Sequence, residues 1–221
     1  MGEEKMPFNE VGTTPVSAER EEREEAEWRE KNLPRETLVF RWRYVDATIQ
    51  LYERRLRSLA SFNVGPAVQA WVRSRLEWMQ DNKLSERPEG VLELTITPEG
   101  DVGMSMQEAA ESPAFSSESL SWDGEGRLSG CSIEGSVWAV RPEGVRVWPG
   151  ELRRAADTFA RDLLSTLGYT LLPEPLSEDA LDGGEVFLVS DEFGAIPCEG
   201  REGPVEEKLA SCFRKLWTPK S

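Results

Sequence analysis

The stretch GGEVFLVSDEFGAIPCEGREGPVEEKL, Gly183 to Leu209, sets the reading of the chain. A strand-like run, EVFLVS, follows a pair of glycines and stops at Ser190-Asp191. A proline and a Gly-rich acidic turn come next. Pro204 then stands where a helix favours a residue with fixed φ and no N–H, and Val205, Leu209, Cys212, Phe213, Leu216 and Trp217 mark the apolar face of a closing helix.

The same alternation of periods runs upstream. TLVFRWRYV places Leu38, Phe40, Trp42 and Tyr44 on one side and Thr37, Val39, Arg41 and Arg43 on the other, the two-residue period of a strand. Ile49, Tyr52, Leu56, Leu59 and Phe62 then step by three and four, as do Val68, Trp71, Val72, Leu76 and Met79, predicting two amphipathic helices before the strand VLELTIT. Residues 104–117 show neither period nor apolar density, which predicts a linker. Beyond them SLSWDGEGRLSG reads as a hairpin, SVWAV and VRVW as strands, and Leu152 to Leu167 as a helix ended by Gly168. TLL reads as a strand and PLSEDAL as a short helix capped by Ser177. The spacing thus predicts four parts: an acidic tail and charged helix capped by Ser17 over 1–35, an α+β lobe over 36–103, the linker, and a second α+β lobe over 118–221.

Composition excludes much chemistry. The 221 residues carry 41 acidic against 26 basic side chains, a net charge of −15, which opposes nucleic acid or anionic lipid as partner. Histidine is absent, removing Ser-His and Cys-His nucleophiles and most zinc sites. No metal is expected. The three cysteines form no close pair, and the N-terminus MGEEKMPFNEVG has no basic region followed by an apolar one; with no apolar run near the about 18 residues of a membrane span, a cytoplasmic protein is expected.

The closing segment resembles class IV of the pyridoxal-phosphate aminotransferases, the group of branched-chain and D-amino acid aminotransferases and aminodeoxychorismate lyase. Their final strand reads like E-V-F-L-T-G-T, followed by a proline, a Gly-Pro turn and a helix. GRLSGCSIEGSVWAV is similar to the family's G-x-V-x-E-G-x-x-S-N-x-F segment, PGELR to its P-G-[IV]-T-R phosphate turn, and LVFRWRYVDATIQLYERRLRSL to its first strand and helix. The resemblance implies a two-lobed D-amino acid aminotransferase-like fold (fold type IV), here with a shortened middle and a charged N-terminal helix. It also implies a phosphate site at Arg55 (or Arg57 in an alternative register), Gly150, Arg153 and Ser190.

The departures are chemical. The family's Schiff-base lysine lies on a strand between the two lobes, yet no lysine occurs from Leu84 to Glu207, and an arginine cannot serve as the nucleophile. The glutamate that pairs with the pyridine nitrogen falls at or beside Cys131, with Glu134 the nearest carboxylate. In the turn Pro149-Gly150-Glu151-Leu152-Arg153, Leu152 replaces a threonine and Glu151 adds an anion; T-G-T becomes Val189-Ser190-Asp191, and a carboxylate about 4 Å from a phosphate repels it by about 1 kcal/mol in water and more when semi-buried. The resemblance therefore implies a vestigial phosphate site, no catalytic residue, no cofactor, and a binding or regulatory module that associates with itself or with an active homologue; a small phosphate-bearing ligand is not expected. Two other readings stay open. One is a working aminotransferase or lyase using pyridoxal phosphate with Lys83 or Lys208 as its amine, and the other is an unrelated α+β interaction domain.

Overall fold

The computed structural model describes residues 15–82, 84–87, 89–123, 128–129, 131, 133–174 and 176–219. Its first sheet follows from the alternation around Trp42. Strand β1 (Leu38–Val45) pairs antiparallel with the two-residue β2 (Thr48–Ile49) on one side and with β3 (Glu89–Ile96) on the other, and β3 pairs with β4 (Val102–Gln107), giving the order β2-β1-β3-β4. Phe40, Trp42 and Tyr44 point to one face, where they meet Leu56 and Leu59 of α2 (Tyr52–Ser61) and Val72 and Leu76 of α3 (Pro66–Asn82). The charged helix α1 (Pro15–Asn32) precedes this unit; its expected Ser17 cap lies outside the described side chains, as does the centre of the expected hairpin turn at Gly124 to Gly126.

Three local expectations change. Ile49 belongs to β2 rather than to the helix face. The stretch expected to begin a linker at residue 104 instead continues β4 to Gln107, because VGMSMQ pairs with β3 through backbone groups that need no hydrophobic period. The expected strand at TLL is reduced to a single bridge between Leu171 and Val145.

The second sheet has the order β10-β9-β7-β8, formed by β7 (Ser136–Arg141), β8 (Gly144–Trp148), β9 (Glu185–Ser190) and β10 (Gly194–Pro197); β5 (Ser121–Trp122) and β6 (Leu128–Ser129) make a separate ribbon. The unbroken apolar run of β9 has its reason here. Phe187 and Val189 face the core shared with α4 (Ala155–Thr166) and α6 (Pro204–Trp217), whereas Val186 and Leu188 face a second cluster with Leu176 and Leu181, the latter in α5 (Glu178–Leu181). A strand covered on both sides reads as a continuous hydrophobic segment. Gly194, at φ +74°, lets the turn into β10 run against Phe213 and Trp217; a Cβ there would lie 2.5 Å from the Trp217 ring.

The order strand, turn, Gly-Pro, helix also acquires a tertiary reason. The Glu185 carboxylate at the start of β9 accepts hydrogen bonds from the N–H groups of Val205 (2.9 Å) and Glu206 (3.2 Å), capping α6 from a neighbouring strand. Gly203 leaves room for it, since a Cβ there would lie 2.1 Å from the Glu185 side chain. Glu185→Ala is expected to cost about 1 kcal/mol of stability, read as a lowered urea midpoint; an unchanged midpoint would remove the cap from the account. No described helix is long and apolar enough to cross a membrane.

Candidate functional site

The two sheets meet at a cleft of about 370 Å³ lined by Phe40 and Arg41 of β1, by Ile133, Glu134 and Arg154, and by Ser190 to Phe193 at the end of β9. Its charges are matched within the chain. Arg41 grips Glu192 with two nitrogens, at 2.5 and 3.1 Å, and reaches Glu93 at 2.9 Å; the hydrogen bond from Arg41 to Glu192 and the two carboxylate charges raise its already high pKa despite partial burial. Across the cleft Arg154 donates to Glu134 at 2.8 Å. Burial pulls the Arg154 guanidinium down, but the Glu134 hydrogen bond and the charges of Glu134, Asp157 and Asp191 more than offset this.

Behind this layer lies the first turn of α4. The N–H of Ala156 donates to Asp191 Oδ1 at 2.8 Å, and the N–H of Arg154 to Asp157 Oδ2 at 3.2 Å. Two carboxylates thus occupy one helix N-terminus, where the amides and the helix dipole favour negative charge. Asp157 is 1% exposed; it accepts a 2.5 Å hydrogen bond from Ser136, whose hydroxyl in turn accepts from the Trp138 indole at 2.7 Å. Burial lifts its pKa to about 6, opposed by the Ser136 hydrogen bond and aided by the charge of Asp191.

Arg55 closes the arrangement. Its side chain is buried at 1% exposure, donates from Nε to the Gln50 carbonyl (2.6 Å) and from Nη2 to the Asp191 carbonyl (2.8 Å), and lies 5.7 Å from the Trp42 ring centroid. Burial lowers its pKa to about 10, partly countered by the Asp191 charge, so it is charged at neutral pH. Nη1 has no hydrogen-bond partner.

Of the residues expected at a phosphate site, the structure brings Arg55 and Ser190 to this corner, the latter buried and accepting from the Glu192 N–H at 3.3 Å. Gly150 and Arg153 are elsewhere. Helix α4 starts at Ala155, not at the Pro149-Gly150 turn; Gly150 is exposed, where an added Cβ would meet nothing within 4 Å, and Arg153 is exposed and pairs with Glu151. Arg153 instead borders a separate hollow of about 340 Å³ between α2 and α4, beside Arg54, Arg57 and Arg161. Arg54 and Arg161 there share Asp162, at 2.7 and 3.0 Å. Cys131 is half-buried and donates to the Ile133 carbonyl, and Glu134 is engaged by Arg154. Lys208 is exposed on α6 and does not line the cleft, while Lys83 lies outside the described residues.

Asp157, Arg154 and Arg41 were not singled out by the sequence. The first two carried a usable signal, a carboxylate three residues after Arg154 at a helix start. Arg41 had none, because its side of β1 reads as solvent until the second sheet covers it.

Two sheets meeting at a cleft, with helix α4 aimed at the seam, define a two-lobed α+β architecture of fold type IV. Solved structures share it. A 4-amino-4-deoxychorismate lyase from Pseudomonas aeruginosa superposes with a TM-score of 0.60 at 17% identity, over 81% of this chain and 90% of that one. A putative branched-chain amino acid aminotransferase from Thermotoga maritima gives 0.61 at 14%, over 82% and 86%. A hypothetical aminotransferase from Mycobacterium tuberculosis, in a PLP-bound form, gives 0.60 at 13%, over 83% and 89%. No family model matches the sequence, and no curated protein matches it. The chain has the class IV aminotransferase fold at identities where only architecture is shared.

Proposed function

We propose that this protein uses the class IV aminotransferase fold as a binding or regulatory module and does not catalyse transamination. The observation that carries the reading is the hydrogen bond from the Ala156 N–H to Asp191 Oδ1. A helix N-terminus beside a buried arginine is a ready anion site, and here the chain's own carboxylate takes it, with the carbonyl of the same residue on Arg55. The cleft-lining residues do not fit pyridoxal phosphate. Among the described residues that line the cleft none is a lysine, so they offer no amine to an aldehyde, and Asp191 would oppose a phosphate at the start of α4.

Adding equimolar pyridoxal phosphate and then borohydride tests this. The expected result is no saturable absorbance band and no stoichiometric pyridoxyl group on any lysine in a peptide map. A stoichiometric, reducible adduct on one lysine would overturn the reading.

A further inference from the structure

Three tryptophans lie open on one side of the first sheet. Trp71 and Trp78, two turns apart on α3, are 48% and 42% exposed, and Trp28 on α1 is 47% exposed, although the period of α3 suggests that Trp71 belongs with Val68 and Val72 inside. They are not scattered. Trp71 and Trp78 wall a groove of about 520 Å³ whose opposite side is Val102 and Met104 of β4, and a second hollow of about 360 Å³ continues past Trp71 and Val102 to Trp28. Contiguous exposed apolar surface of this kind marks an interaction site rather than chance exposure.

The neighbouring strand points the same way. β4 ends the order β2-β1-β3-β4, and among the described residues no strand pairs with its far side. Its sequence, VGMSMQ, has no charge and no proline, so the usual protections of an outer strand are missing. Among the described residues lining the two hollows none is acidic, in a chain of net charge −15.

We propose that β4 and the Trp71/Trp78 groove form a self-association surface, on which two copies join edge to edge and merge their four-stranded sheets into one of eight strands. A second copy fits better than another occupant for two reasons. Two chains of like charge approach most readily where carboxylates are absent. Antiparallel pairing of β4 with itself also creates a two-fold axis, and the same axis sets Trp71 of one protomer toward Trp78 of the partner subunit and the reverse, so one operation covers both the strand edge and the aromatic groove. The inference goes beyond the reading of the cleft and does not depend on it.

Sedimentation equilibrium across micromolar concentrations, with hydrogen exchange on the full chain, is the test. The expected mass is twice 24.9 kDa, with the β4 amides slowing as the dimer forms. Trp71→Ala with Trp78→Ala is expected to weaken association by about tenfold or more. Gly103→Lys, at a site where a Cβ meets nothing within 4 Å, should do the same by charging the edge, with the urea midpoint near the parent's. A monomer at all concentrations overturns the proposal. So does a dimer that both variants leave intact, or a monomer whose β4 amides are already protected by its own chain.

Discussion

Replacing Arg55 with alanine is expected to lower the free energy of unfolding by about 3 to 5 kcal/mol, the range seen when one member of a buried charged arrangement is removed. The substitution deletes the hydrogen bonds to the carbonyls of Gln50 and Asp191 and the contact with the Trp42 ring, and it removes a buried cation that interacts with the Asp191 charge. It also opens a void among well-packed side chains. Arg55→Met separates these causes. Methionine restores most of the volume and removes the cost of burying a guanidinium with one unpartnered nitrogen, so its loss should be clearly smaller. Urea midpoints of the two variants give the answer; equal and small effects would mean that Arg55 does not hold the two sheets together.

The second large effect is pH-dependent. Asp157 has a folded pKa of about 6 against an ordinary 3.8, chiefly because burial disfavours its charge. The folded state therefore binds the proton more tightly than the unfolded chain does. That preference favours the fold fully below 3.8 and is lost as the pH rises through about 6, a change of about 3 kcal/mol. Glu206 is raised by burial as well and adds to the same direction. Asp157→Asn keeps an acceptor for the Arg154 N–H and for Ser136 but cannot ionise. The expected result is that the stability of the parent relative to this variant falls between pH 4 and pH 7, measured by urea unfolding at each pH. A difference that stays constant with pH would show that Asp157 is not the titrating group.

The effects share a cause. The α4 N-terminus, the end of β9 and the start of α2 converge on a small volume that holds one buried guanidinium and two carboxylates. The backbone groups they engage tie the seam between the sheets, and in the reading proposed above these contacts also use up groups that could have held an anionic ligand. A protein with this seam is expected to be more sensitive to charge removal there than to loss of exposed ion pairs such as Arg20–Glu24, which contribute little in water.

Periodicity and punctuation were enough to place β1, β3, β7, β8, β9, α3 and α6, because a covered face must be apolar at the spacing of its own element. Residue inventory alone removed histidine chemistry and left no lysine between Leu84 and Glu207. β4 escaped because its pairing is made by backbone groups. The place of the α4 N-terminus, the turning of Asp191 onto Ala156, the approach of Arg55 from 136 residues away and the outward turn of Trp71 beside the buried Val72 were decided only by tertiary structure. The physical reason is that spacing along a chain fixes which side chains share a face, while burial and charge partnership depend on which distant segment comes to lie against it.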